Sequence, residues 1–255
     1  MEASLKNMLY DNPELYEEIY DGAGHEIPRM CAKLFGGIPK TLLDIGCGTG
    51  RDVAYFAGQG ARCTGVDFQP GMIAYARDRR PGVDFQTGDM RSLRLGTTFE
   101  IIPCVGWALA NLHTPKDIDR AMATFAAHAA PGTMLFLHLP NAIGDLDGQG
   151  LPARFVIDTP SLQATASATY RLDRRRQLLS RERLWSLPGQ PDQKDFVRFR
   201  LLFPMELEHY LTHHGFTVTG MYDNTEAQDS DLTGPVLYVS ARFTGDVSTG
   251  ATLQV

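Results

Sequence analysis

Short apolar runs and longer amphipathic stretches take turns from Lys40 to Asn141. KTLLDIG (40–46), ARCTGVDF (61–68), VDFQTGD (83–89), EIIPCVG (100–106) and TMLFLHLPN (133–141) predict strands. GRDVAYFAGQG (50–60), PGMIAYARDRR (70–80) and PKDIDRAMATFAAHAAPG (115–132) predict helices, the last stopped by Pro-Gly. Upstream, NPELYEEIY (12–20) and EIPRMCAKLF (26–35) read as two helices with Gly22 and Gly24 between them. Strand and helix in alternation imply a parallel sheet covered on both faces.

The alternation stops after Asn141. A loop rich in Gly and Asp leads to QATASATYRLDRRRQLLSRERLWSL (163–187), read as two strands about a turn, and DFVRFRLLF (195–203), read as a third. PMELEHYLTHHG (204–215) is a helix, and FTVTGMYD (216–223) with GPVLYVSARF (234–243) closes the sheet as an antiparallel pair. The expected plan is one domain over 1–255. It has an N-terminal helical cap (1–40), a cofactor-binding core (41–150), an antiparallel β insertion over the substrate (151–203) and the end of the core sheet (204–245). The tail after Gly245 is expected to fray.

LLDIGCGTG (42–50) carries the chemistry. A dinucleotide loop is GxGxxG. Counted from Gly46 and Gly48, its third glycine falls on Arg51, and the glycine here is Gly50. Asp44 precedes the loop, and a carboxylate gains nothing from a pyrophosphate. S-adenosyl-L-methionine has no phosphate and carries an ammonium and a sulfonium. Asp44 suits its amino end, and Gly46 and Gly48 let backbone approach without a Cβ clash. Asp67 ends the second strand, where an acid reaches ribose hydroxyls. Asp89 is placed to accept from an adenine amino group, and Met90 to pack on the ring.

With LLDIGCGTG, GVDFQPGMIAYAR, GDMRSLRLGTTFE and FAAHAAPGTMLFL in this order, the chain resembles class I S-adenosylmethionine-dependent methyltransferases. Among them it is most similar to small-molecule enzymes such as the amino-sugar N,N-dimethyltransferases of macrolide biosynthesis. The resemblance implies an α/β fold with a Rossmann-like seven-stranded, mostly parallel sheet, helices on both faces, an N-terminal helical cap and an antiparallel β insertion. It implies the same cofactor contacts, with Tyr16 from the YxxxY helix and Cys47, Phe68 and Cys104 completing the set. Tyr20 joins the catalytic candidates. CVGWALANLHT (104–114) and His138, where those enzymes carry an acid, depart from the pattern at the substrate-reading positions.

His138, at a strand C-terminus, faces the ligand crevice of an open α/β sheet and is a candidate base; the alternative is a histidine hydrogen-bonded in the core. His113 is a loop candidate, and Trp107, Asn111 and Asn141 are placed to meet substrate. Cys47 reads as a small residue fitting the turn rather than a nucleophile. His213 and His214 read as helix-end cations and RLDRRR (171–176) as a solvated turn.

Composition narrows the class. The 255 residues are 43% hydrophobic and 21% charged with net charge −6, ordinary for a soluble globular chain and against a basic nucleic-acid face. The four cysteines, Cys31, Cys47, Cys63 and Cys104, form no CxxC pair, so reduced thiols are expected and no metal site. The N-terminus does not resemble a signal peptide, and no apolar run is long enough to span a bilayer. The resulting expectation is a cytoplasmic S-adenosylmethionine-dependent methyltransferase acting on a small molecule, with no nucleic-acid or membrane partner and with room for a homodimer. Nitrogen is the first acceptor atom. O- or C-methylation with His138 as base comes second, and a non-catalytic regulator that binds the cofactor is the rival of another class.

Overall fold

The computed structural model describes residues 7–20, 24–142 and 151–245. Gly22, the Gly- and Asp-rich segment 143–150 and the tail 246–255 lie outside the described residues.

The helices are α1 (Pro13–Tyr20), α2 (Glu26–Phe35), α3 (Arg51–Ala57), α4 (Pro70–Arg79), α5 (Pro115–Ala127) and α6 (Pro204–His213). The core strands are β1 (Thr41–Ile45), β2 (Arg62–Asp67), β3 (Asp84–Thr87), β4 (Phe99–Cys104) and β5 (Ala129–Pro140). After these come β6 (Arg154–Asp158), β7 (Gln163–Asp173), β8 (Leu178–Ser186), β9 (Gln193–Arg200), β10 (Phe216–Tyr222) and β11 (Val236–Phe243). Seven strands form one sheet in the order β10-β11-β5-β4-β1-β2-β3, with β11 antiparallel to both neighbours. β1 sits inside this sheet between β2 and β4, and its Leu42, Leu43 and Ile45 are fully buried. A strand covered on both faces has no solvent side, so its apolar residues run on without alternation.

Helix ends follow local chemistry. Pro70 and Pro115 occupy first-turn positions, where no amide is needed, and the Thr114 hydroxyl accepts from the Asp117 amide. The helix expected over 115–132 ends earlier, at Ala127. His128 is completely buried: its Nδ1 meets the Thr124 carbonyl at 2.8 Å and its Nε2 accepts from the Leu95 amide at 2.9 Å. The Thr133 hydroxyl then donates to the Phe99 carbonyl and accepts from the Ala130 amide, drawing 129–132 into β5. Pro-Gly therefore lies within the strand rather than ending the helix.

The second sheet has the order β6-β7-β8-β9, antiparallel throughout. Its first strand was not expected: RFVID has charged ends and only Phe155 and Ile157 alternating inward. RLDRRR spans the end of β7 and an exposed turn. The two N-terminal helices pack on different partners. In α1, Leu15 joins a cluster with Ile157, Ala164, Ala166, Trp185 and Leu187 of the insertion. In α2, Met30, Cys31 and Ala32 pack into the core-sheet cluster with Leu42, Val53 and Phe136. Leu15 thus joins α1 to the insertion, the Glu17–Arg80 ion pair ties α1 to the end of α4, and α2 belongs to the main layer.

Candidate functional site

The C-terminal ends of β1, β2 and β4 converge on the glycine turn. Gly46, Gly48 and Gly50 all have positive φ, at 90°, 53° and 81°. A Cβ on Gly46 would stand 2.4 Å from the Ala108 Cβ, whereas one on Gly48 would meet nothing within 4 Å. The first glycine lets the post-β4 segment close in; the second leaves open space above the turn. Asp67 fixes the loop: its Oδ2 accepts from the Gly48 amide at 2.8 Å, and its Oδ1 from the Gln69 amide at 2.8 Å.

Asp44 is 1% exposed, and its Oδ1 is buried with no hydrogen-bond partner. Burial, then the charges of Asp52 and Asp67, push its carboxyl well above the usual carboxylate range. A buried carboxylate without a donor is costly, and an ammonium is the partner it lacks. Asp44 and Asp52 also line a void of about 10 Å³, room for about one water, with Cys31 and Phe56. The residues present therefore fit S-adenosylmethionine by the orphaned oxygen and the open glycine cradle. Met90 lies next to Gly46, its Cε 3.9 Å from the built Cβ, and Phe68 is 64% exposed beside Asp67. Asp89 is already held by Arg91, which also reaches Asp117.

The thiols face inward. Cys104 is fully buried in the core, and Cys47 packs beneath Gly65; burial raises both well above the ordinary thiol range. All four cysteines are free.

His138 projects from β5 between two N–H donors. Its Nδ1 lies 3.3 Å from the Gly106 amide and its Nε2 3.3 Å from the Trp107 indole Nε1. Tyr238 stacks on the ring at 4.8 Å. Burial lowers its pKa to about 4. A neutral imidazole accepts at only one nitrogen, so one of these two contacts at a time is a hydrogen bond; burial disfavours the imidazolium and keeps the ring neutral. Trp107, at φ 64°, is held by this contact and meets Phe199 of β9 edge-on at 5.2 Å. His113 bonds the Arg198 carbonyl of β9 at 3.0 Å, tying the loop to the insertion. Asn111 closes its own turn onto the carbonyls of Trp107 and Ala108. Asn141 is fully buried and donates to the carbonyls of Leu232 and Gly234.

From the other side, Tyr10, Tyr16 and Tyr20 form a ladder, with centroids 6.4 Å and 4.7 Å apart. Arg51, at the start of α3, lies over the Tyr20 ring at 5.8 Å. Tyr16 is deeply placed, and burial raises its phenol well above the usual range. The structure thus gathers Asp44, Gly46, Gly48, Asp67, Phe68 and Met90 with Tyr16 and Tyr20, and separately His138 with Trp107. It commits Asn111, Asn141, His113 and Asp89 to internal bonds. His214 pairs with Asp119 at 2.8 Å. Tyr10, Asp52 and Arg181 escaped the sequence reading. Asp52 had a signal, an acid in the first turn after a glycine loop; Tyr10 lies outside any periodic element.

Among the described residues no group of three His, Cys, Asp or Glu side chains is placed to hold a metal, and no helix is long and apolar enough to cross a membrane. Residues 42–132 match the family model described as "Methyltransferase domain". The chain is 33% identical over 124 residues to a dTDP-3-amino-3,6-dideoxy-alpha-D-glucopyranose N,N-dimethyltransferase of Streptomyces fradiae, covering 46% of this chain and 49% of that one. It is 28% identical over 128 residues to a dTDP-3-amino-3,4,6-trideoxy-alpha-D-glucopyranose N,N-dimethyltransferase of Streptomyces venezuelae, covering 48% and 54%. The chain thus spans about half the length of these curated relatives. Its fold is that of a solved amino pentose methyltransferase from Micromonospora echinaspora, at TM-score 0.73 and 23% identity, covering 95% of this chain and all of that one. These matches agree with the class I resemblance read from the glycine loop.

Proposed function

We propose, from the premise that residues 42–132 form a methyltransferase domain, that this protein moves a methyl group from S-adenosylmethionine to nitrogen on a small molecule. An amino sugar of secondary metabolism is the acceptor class to try first, in line with the names of the relatives. The observation that carries the reading is the unpartnered, buried Asp44 carboxylate beside an open glycine turn. Asp44 receives the cofactor's ammonium, Asp67 its ribose hydroxyls, and Phe68 and Met90 flank its base. Asp89, held by Arg91, presents its remaining acceptor capacity there. Cys47 and Cys104 shape the turn from behind, and Tyr16 and Tyr20 close over it.

The bound cofactor supplies a methyl carbon made electrophilic by its sulfonium; the protein supplies placement and electrostatics. His138, kept neutral by burial, is poorly set to take a proton. A neutral amine attacks without losing one first, which favours nitrogen over oxygen or carbon. His138 and Trp107 then form the wall that orients the acceptor, with His113, Asn111 and Asn141 fixing the loops behind it. The setting proposed with this chemistry is a cytoplasmic homodimer, its assembly measured by light scattering.

Calorimetry is expected to show binding of S-adenosylhomocysteine and none of NAD. Asp67→Ala should bind the former tenfold to a hundredfold more weakly, because ribose hydroxyls and two loop amides lose their acceptor. Mass spectrometry of nucleotide-linked amino sugars incubated with protein and S-adenosylmethionine should show one or two added methyl groups. Tight NAD binding would overturn the reading.

A further inference from the structure

The insertion presents an inward row of residues from β8: Leu179, Arg181, Arg183 and Trp185. Two cations on a buried face need two counter-charges. Arg183 has one, since its Nε and Nη2 reach the two oxygens of Asp195 at 2.8 and 2.5 Å. The other well-buried arginines are also answered: Arg200 by Glu206 and Arg80 by Glu17. Arg181 is not. It is half-buried, its Nε is shut away from solvent with no acceptor, and no described carboxylate pairs with it.

Its surroundings are aromatic. The guanidinium lies over the rings of Phe155 at 5.0 Å and Phe199 at 5.7 Å. Rings hold the flat faces of a guanidinium and leave its N–H edge unused. That edge is the part that binds a carboxylate or phosphate by two parallel hydrogen bonds. Phe199 touches Trp107, which touches His138, so the contacts run from Arg181 to the strand-end crevice. On the other side, the Tyr10 phenol feels the charges of both Arg181 and Asp67. Arg181 therefore stands where the insertion meets the site.

We infer that Arg181 is the counter-charge for an anionic oxyacid group, carboxylate or phosphate, on the acceptor. This rests on the methyltransferase reading and narrows it: the acceptor carries a negative group besides the atom that is methylated.

The test uses the full chain and two probes, pyrophosphate and citrate, titrated by calorimetry with and without S-adenosylhomocysteine. Wild type should bind at least one probe saturably. Binding of pyrophosphate alone assigns a phosphate ester, and binding of citrate alone a carboxylate. Arg181→Gln should weaken that binding at least tenfold and leave S-adenosylhomocysteine affinity within twofold. Arg181→Lys should fall between the two, which separates charge from packing. Arg171→Gln, exposed on β7, should bind as wild type. Near-UV circular dichroism checks that the variants fold. The proposal is overturned if neither probe binds wild type, or if Arg181→Gln binds as well as wild type. If wild type takes no S-adenosylhomocysteine, the methyltransferase reading fails, while the cofactor-free titration still decides the role of Arg181.

Discussion

The two sheets of this molecule solve burial differently. The seven-stranded sheet is covered on both sides by helices, and its interior is aliphatic and aromatic, with Leu43, Ile102, Leu137 and Val239 fully buried. Its unsatisfied chemistry is pushed to the strand ends, where Asp44 waits without a donor. The four-stranded sheet buries one face and includes charge in it. Asp195 accepts from Arg183, from the Trp185 indole at 3.0 Å and from the Met8 amide at 3.4 Å. In the proposed function the apolar, rigid sheet holds the cofactor, and the charged one keeps cations and rings within reach of the acceptor.

That contrast predicts unequal damage. Asp195→Ala leaves Arg183 buried and unpaired and strips the indole and Met8 of their acceptor. It should cost about 3–5 kcal/mol. Hydrogen exchange should rise together in 7–20 and 154–200 and stay slow in β1, β4 and β5. Loss of protection in the insertion alone, with α1 unmoved, would detach α1 from that unit.

Asp44→Asn should do the reverse in the core. It removes a buried carboxyl whose ionisation the fold disfavours, so the cofactor-free protein should gain about 1–2 kcal/mol at neutral pH while losing affinity for S-adenosylhomocysteine. The sign follows from linkage. The folded carboxyl holds its proton more tightly than the unfolded one, near 3.8. Wild type thus loses stability as pH rises from that value through the raised folded pKa, and the loss is constant above it. The melting-temperature gap between variant and wild type should therefore close in acid. An equal gap at every pH would show that Asp44 gains a partner in solution.

The smallest effect is expected at the junction of the two regions. His138→Gln should slow methyl transfer less than tenfold, about what one orienting hydrogen bond contributes. The rate profile of wild type should follow the acceptor amine's own ionisation and show no step near 6.5, because His138 titrates at about 4. His138 also favours the neutral form in the fold, so its contribution to stability is lost as pH falls from 6.5 towards 4. A thousandfold loss in rate would return His138 to the role of base.

The core was legible because every rule there pointed one way: apolar runs of strand length, proline and glycine at helix ends, and a glycine spacing that excluded a dinucleotide. The strand containing Ala129–Gly132 was hidden because its start is set by Thr133 and His128, which bond to Phe99 and Leu95 far off in sequence. The insertion was legible in outline, but β6 was not, since only two inward residues mark it. For the site, acids near glycines stood out. Asn141 and Asn111 looked like ligands from their positions, yet both are committed to backbone carbonyls, which no spacing reveals. Arg181 was hidden by its neighbours: in a run of alternating charges, nothing marks the one that lacks a partner.

The placement of α1 in the insertion's cluster bears on how the chain is made. Met8 and Asp195, which share a hydrogen bond, are 187 residues apart. Ribosomes add roughly 5–20 residues per second, so the first helix emerges about 10–40 s before its apolar partners exist. During that interval Leu15 and Ile19 have no surface of their own to bury against. The α/β core, whose strand neighbours β1, β2 and β3 follow one another in sequence, can consolidate meanwhile. Leu15 and the insertion are then the last to meet, and until they do their apolar faces are open to chaperone capture.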